Sequence, residues 1–312
     1  MAHQRSFRFA VSLREPFPDR SFADTVRELE DLGYATIFVP DHFDEGLGPL
    51  TAIAVAATVT TTLNVGTLVL DCDFRHPAVV ARELATIDQL SGGRLEIGLG
   101  AGWKRADYES SGIEMDAPAI RVSRMIEFTT VLKGLFGSGS FSHVGRFFAI
   151  NDLDGSPKPY RPGGPPLLIA GGAPRVLRFA GSAADIVGVN ASVHSGAIDV
   201  AAAADALPER IEEKIGWVRE GAGDRFAELE LNAWLAVASV TDHGAEMAER
   251  IAPFYAATPE SVRASPLTLI GSVTEIGEML DYRRRRWGYS YTVIPGAQAR
   301  EFAPVVASLT GK

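Results

Sequence analysis

RLEIGLGAGW, residues 94–103, is an apolar run that ends in three glycines, Gly98, Gly100 and Gly102. Glycines directly after a strand pose one question first: is this the phosphate-binding turn of a dinucleotide fold? Such a turn needs G-x-G-x-x-G opening a helix near the start of a βαβ unit, with an acidic residue about 20 positions further on to hold a ribose. Here the spacing is G-x-G-x-G, and the residues that follow, WKRADYESSGIEMDAP, reach another glycine and a proline before any long helical stretch. No uninterrupted helix starts at the glycines, so a pyrophosphate site is not supported. The stretch reads instead as one buried strand of a larger set.

Working outward, short apolar runs of strand character alternate with longer segments of helical character. FRFAVSL (7–13) is followed by apolar residues at Phe22, Val26, Leu29 and Leu32, closed by Gly33: a strand, then an amphipathic helix with a glycine stop. ATIFVP (35–40), LNVGTLVL (63–70), PLLIAG (166–171), DIVGVN (185–190), LELNAWLAVASV (229–240) and YSYTVIP (289–295) read as further strands beside RLEIGLG. Helical segments separate nearly all of them, notably 77–90, 122–136, 174–183, 242–255 and 273–287. Eight β-α units in about 300 residues predict an α/β fold, a (β/α)8 TIM barrel with buried parallel strands, residues 1–312 forming one domain. The Gly-, Ser- and Pro-rich stretch 137–164 reads as an insertion before the fifth strand, with a hairpin around Val144 and Gly145. AIDVAAAADAL (197–207) reads as an exposed helix.

Composition narrows the function classes. A chain of 312 residues, 46% hydrophobic, can bury a large core. Its single cysteine, Cys72, excludes an intrachain disulfide and a cysteine-cluster metal site, which suits a reducing cytoplasm. A net charge of −9 argues against a nucleic-acid surface. The one dense basic run, Arg283 to Arg286, reads as the solvated last turn of a helix. No segment approaches the roughly 20 apolar residues of a membrane span, and the N-terminal apolar run is too short for a signal peptide. The expectation is a soluble cytoplasmic protein whose partner is a small-molecule substrate, with a homodimer as an allowed assembly. No metal-ligand spacing and no G-x-S-x-G elbow occurs.

In a barrel of this type the chemistry lies just past the C-terminal ends of the strands. Those positions hold Asp41 and His42 after the second strand, Asp71, Cys72 and Asp73 after the third, Ala101 and Trp103 after the fourth, Gly171, Gly172 and Ala173 after the fifth, and Asn190 after the sixth. The glycines of GLGAGW then read as small rim residues that let a flat ligand approach the backbone. Gly171 and Gly172, followed by Pro174 and Arg175, are either an anion site at a helix start or an ordinary βα turn with a surface arginine. His42 is the strongest single candidate, because an imidazole can give or take a proton near neutral pH, although Asp-His could equally cap the following loop. His3, His76, His143, His194 and His243 fall in expected loops, tails or helix starts.

VPDHF, GTLVL, FRHPAVVARELATIDQLSGGRLEIGLGAGW, IRVSRMIEFTTVLKGLF, PPLLIAGGAPRVLRFAGSAADIVGVN and GSVTEIGEMLDYRRRRWGYSYTVI together resemble the luciferase-like monooxygenase superfamily. More narrowly they are similar to its branch that uses the deazaflavin coenzyme F420. The resemblance implies an oxidoreductase with the cofactor ring across the barrel mouth, and FMN with oxygen chemistry as the alternative; a flavin-binding barrel without turnover is a third reading. It implies a ring-contacting acid at Asp41, a catalytic histidine at His42, a non-proline cis peptide at Leu68 and Val69, and a phosphate-binding turn at Gly171 and Gly172 backed by Arg175. Arg121, Arg124 and Glu127 match a helix pattern taken as structural. Two departures matter. Trp103 stands where sugar-phosphate dehydrogenases of the superfamily carry a glutamate, and NASVHSGAID lacks the lysine expected after the sixth strand. A sugar phosphate is therefore not the expected substrate, and Trp103 suggests an aromatic wall.

Overall fold

The computed structural model describes residues 5–44 and 46–312. Strands form at the short β-branched and aromatic runs: β1 (Arg8–Ser12), β2 (Thr36–Val39), β3 (Asn64–Thr67) and its continuation β4 (Leu70–Asp71), β5 (Leu95–Gly100), β6 (Phe141–Val144) and β7 (Ala149–Leu153). The remainder are β8 (Leu167–Gly171), β9 (Ile186–Val189), β10 (Glu230–Trp234), β11 (Val237–Val240), β12 (Thr268–Gly271) and β13 (Tyr289–Pro295). Eight of them run parallel in the order β3, β2, β1, β13, β10, β9, β8, β5, and pairing of β3 with β5 closes the ring. This is the (β/α)8 barrel expected from the strand count.

Helices start where the chain supplies caps. Ser21 accepts the Asp24 amide to begin Phe22–Asp31, and Ser272 with Glu275 forms a capping box for Val273–Trp287. Arg284, Arg285 and Arg286 occupy the last turn of that helix, as expected, but Arg283 does not face solvent. It is buried and donates to the carbonyl oxygens of Arg263 and Thr268 at 2.8 and 2.6 Å. The removal of its charge from water pulls its guanidinium down to about 9.

Inside the ring, side chains stack in layers. At the N-terminal end, Arg8 of β1 bonds Glu230 of β10 at 2.9 and 2.6 Å and Glu96 of β5 at 2.5 Å. Glu96 also accepts from Thr36, Asn64 and Tyr291, at 3.3, 3.1 and 3.0 Å. Above this polar floor lies an apolar layer with Ala10, Phe38, Leu168, Tyr291 and Val293, on which Leu68, Val69, Ala170 and Trp234 pack. Those last residues face the C-terminal mouth.

Three local expectations change. LNVGTLVL is not one strand: the peptide between Leu68 and Val69 is cis, and the ladder breaks there into β3 and β4. LELNAWLAVASV divides after Trp234, and its second half, β11, leaves the barrel to pair in parallel with β12. The sequence reading had no strand at β12, because four apolar-flanked residues between a helix and a capping serine are too short to show a period. Finally, 197–207 is helical only over Val200–Ala204, and Ala202, Ala203 and Ala206 are buried. The four consecutive alanines 201–204 carry no polar face to reveal which side packs. The insertion behaves as expected: β6 and β7 form an antiparallel hairpin, and the Glu127 carboxylate accepts the amides of Arg146, Phe147 and Phe148 in its turn.

Candidate active site

A cavity of about 630 Å³ opens at the C-terminal ends of the barrel strands. This lies within the roughly 300–1,000 Å³ typical of small-molecule sites. Asp41, His42, Leu68, Val69, Asp71, Ala101, Trp103, Gly171, Gly172, Ala173 and Asn190 all line it. Arg175 does not. Its guanidinium donates to the Ala119 carbonyl at 2.9 Å and the Ser123 hydroxyl at 2.8 Å, tying one helix start to the next. In this structure that guanidinium is a strut between helices Pro118–Phe136 and Pro174–Ala183.

The glycines of GLGAGW have a packing reason beside the one expected. A Cβ on Gly98 would overlap the Thr67 carbonyl oxygen and lie 3.0 Å from its carbon, and one on Gly100 would lie 2.5 Å from Val69 Cγ2. Gly102 has φ +70°, and a Cβ there would run into the Tyr108 hydroxyl and the Asp71 carboxylate. These positions are bare so that the chain's own bulge at 67–71 can press against β5. Gly100 and Gly102 also line the cavity, so their bareness serves the chain's own packing and leaves backbone open on the cavity wall.

His42 faces the cavity, and the acid that orients it is Asp107, not its neighbour Asp41. His42 Nδ1 lies 2.6 Å from Asp107 Oδ2, while Asp107 Oδ1 accepts the Phe43 amide at 3.1 Å. A carboxylate only accepts, so Nδ1 carries the hydrogen and neutral His42 presents Nε2 as an acceptor. Trp103 lines the cavity and packs against the imidazole edge to face, with centroids 5.6 Å apart. Asp107 sits in the short helix Arg105–Ser111, and it is this carboxylate, not the Asp41 or His42 side chain, that caps the loop after His42 through the Phe43 amide.

Asp41 forms a two-pronged pair with Arg75, one contact at 2.9 Å, and accepts the Asp71 amide at 3.1 Å. It fixes the backbone of β4 under the cavity. Burial pushes the Asp71 carboxyl up to about 7, opposed by the Asp73 amide and reinforced by the Asp73 and Asp41 charges. Arg124 bridges Asp73, at 2.6 Å, and Asp116, while Arg121 donates to the Ala101 carbonyl at 3.0 Å. Arg124 and Glu127 hold the surrounding backbone and carboxylates, as expected, whereas Arg121 also lines the cavity.

On the far wall, a Cβ on Gly172 would lie 2.5 Å from the backbone of Ala191 and Ser192. That loop is held from behind by Lys214, fully buried, whose ammonium donates to the Asn190 carbonyl at 2.8 Å and to Asp205 at 2.5 Å. The Oδ1 of Asn190 is buried with no hydrogen-bond partner among the described residues, an acceptor held ready beside the cavity. Among the other histidines, His194 also lines the cavity, whereas His76 caps a helix, His143 meets Glu127 and His243 meets Glu246. His3 lies outside the described residues. Glu15 is exposed and off the cavity. Sequence reasoning missed Ser12, Arg14, Trp234 and Arg250 as lining residues. Applying the strand-end rule to β1 and β10 would have found the first three; Arg250 comes from a helix and left no local signal.

The sequence model of a family described as luciferase-like monooxygenase matches residues 6–305. The pyrimidine monooxygenase RutA of Escherichia coli O139:H28 is 37% identical over 147 residues, 45% of this chain and 35% of that protein. The aligned stretch thus spans little more than a third of that relative's own length. Among solved structures, the coenzyme F420 dependent tetrahydromethanopterin reductase from Methanopyrus kandleri superposes with a TM-score of 0.76 at 17% identity, covering 98% of this chain and 99% of that one. The FMN complex of the oxygenating constituent of 3,6-diketocamphane monooxygenase from Pseudomonas putida superposes with a TM-score of 0.67 at 16% identity, covering 98% and 96%. At these identities the two structures share the fold.

Proposed function

The chain belongs to the luciferase-like monooxygenase family, and from that premise we propose that it is an oxidoreductase using the deazaflavin coenzyme F420 for hydride transfer to or from a small organic substrate. The observation that carries the reading is the His42–Asp107 pair at 2.6 Å, set on the wall of a cavity otherwise dominated by apolar and backbone surface. When bound, the cofactor supplies the hydride donor or acceptor. The protein supplies the rest. In the oxidising direction, as a substrate C–H bond gives up its electron pair, its hydroxyl proton passes to His42 Nε2 and Asp107 stabilises the imidazolium; the reverse direction returns that proton. Gly171, Gly172 and Ala173, with the open amides of Pro174–Ala183, are the groups for a cofactor phosphate. The unpartnered Asn190 Oδ1 suits a ring N–H donor, and Trp103 with Val69 excludes water.

A second reading, an FMN-dependent monooxygenase, draws on the similarity to RutA. Equilibrium titration of the purified protein with coenzyme F420 and with FMN, followed by optical change, separates the two. Binding of F420 with turnover that needs no oxygen supports the first. Tight FMN binding without detectable F420 binding reverses the order.

A further inference from the structure

Tyr108 stands between two carboxylates. Its Oη lies 2.8 Å from Asp71 Oδ2 and 3.0 Å from Asp73 Oδ2, all within a buried wedge beneath Gly102. A phenol has one proton to donate, and its remaining capacity is as an acceptor. Two ionised carboxylates cannot both be satisfied by it; one of the pair must bring its own proton. Asp73 is the ionised member, because Arg124 lies 2.6 Å from its Oδ1. Asp71 meets no cation among the described residues: its Oδ1 accepts the Asp73 amide at 2.9 Å, and around it lie the Asp41 carboxylate, already paired with Arg75, the buried Cys72 and the phenol. Arg121, on the neighbouring helix, is directed to the Ala101 and Gly102 carbonyls. The hydrogen-bond chain consistent with these contacts runs Asp71 Oδ2–H to Tyr108 Oη, and Tyr108 Oη–H to Asp73 Oδ2.

We infer that Asp71 stands as a neutral carboxylic acid on the cavity wall, held in that state through Tyr108 by ionised Asp73, and that it is the donor toward whichever bound group gains negative charge. His42 and Asp71 then divide the proton traffic. His42 accepts at Nε2, whereas the Oδ2–H of Asp71, directed to Tyr108 in the free protein, turns to the bound group as a hydrogen-bond donor while Tyr108 keeps its own bond to Asp73. The protonation state rests on the geometry alone. The donor role rests on the reading of the cavity as the cofactor and substrate site.

Two measurements test the parts separately. In protein labelled with ¹³C at aspartate carboxyls, one resonance should titrate near pH 7 and be missing from Asp71→Asn. The asparagine, an isostere of the neutral acid, keeps both hydrogen bonds and should leave the melting temperature at pH 6 unchanged. If every aspartate titrates in the ordinary acidic range, or if Asp71→Asn unfolds at pH 6, the neutral-acid assignment is wrong. For the donor role, affinity for coenzyme F420 and for FMN is measured from pH 6 to 8.5. Whichever binds should do so roughly three- to tenfold more tightly at the lower pH, the worth of one hydrogen bond, and this dependence should vanish in Asp71→Asn. An unchanged pH dependence in the variant overturns the donor role. Failure of both cofactors to bind overturns the cavity reading and the donor role with it, and leaves the carboxyl titration standing as its own result.

Discussion

Gly98→Ala tests whether the glycines of β5 serve the chain or a ligand. The added Cβ would overlap the Thr67 carbonyl oxygen, a backbone atom that has no rotamer to change. Relief requires β3 and β5 to part, and that strains two hydrogen bonds, Thr67 Oγ1 to the Gly98 carbonyl at 3.0 Å and the Gly98 amide to Thr67 Oγ1 at 3.1 Å. Overpacking costs roughly 1–3 kcal/mol and each hydrogen bond about 1 kcal/mol, so the expected loss is about 3–5 kcal/mol. In a chain of this size that is a fall in Tm on the order of 10 °C. Gly100→Ala meets only the Val69 side chain at 2.5 Å, so the double variant Gly100→Ala, Val69→Ala should recover most of what the single one loses. Gly216→Ala is the control of opposite sign. It lies inside the helix Pro208–Ala222 with nothing within 4 Å of a new Cβ, and should stabilise by about 0.5–1 kcal/mol. Urea unfolding and thermal melts read all four. A Gly98→Ala protein that melts within 2 °C of wild type but binds cofactor poorly would refute the self-packing argument and restore the ligand-approach reading.

Replacing Asp107 by Asn lets the amide donate to His42 Nδ1, which places the imidazole proton on Nε2 and removes the acceptor from the cavity. Turnover of any authentic substrate should fall roughly 10²- to 10⁴-fold, with His42→Ala equally impaired and the double variant no worse than either; additive losses would separate the two residues. Arg175→Ala should change cofactor affinity less than about threefold while lowering stability by up to about 1 kcal/mol, since the guanidinium holds Ala119 and Ser123. A tenfold loss of affinity in isothermal titration would return Arg175 to the phosphate site.

The barrel was legible because eight buried strands leave eight apolar runs, and because helix stops such as Gly33 and capping residues such as Ser272 act locally. Site residues at strand ends were legible for the same reason: their position follows from the strand that carries them. What escaped was pairing across the chain. Asp107 reaches His42 from 65 residues away, and no spacing rule connects them. Arg175 looked free because its partners lie on a helix 52 to 56 residues earlier. The glycines were legible only in part for a related reason. Bareness of a strand is visible in sequence, but what fills the vacated space is decided by the neighbouring strand's bulge.

The polar floor of the barrel has a consequence for how the chain reaches its native state. Arg8 belongs to the first strand, yet its two carboxylates arrive 88 and 222 residues later. During synthesis the opening strand meets its first carboxylate, Glu96, early, and waits for the second, Glu230, until most of the protein has emerged. A half-barrel would either leave that guanidinium wet or enclose it with one partner missing, at about 3–5 kcal/mol for an uncompensated charge. Closure is thereby made an all-or-none event, and fragments ending before Glu230 should show no cooperative unfolding transition in urea. The halves of this ring are not separable modules, however regular its repeating units look.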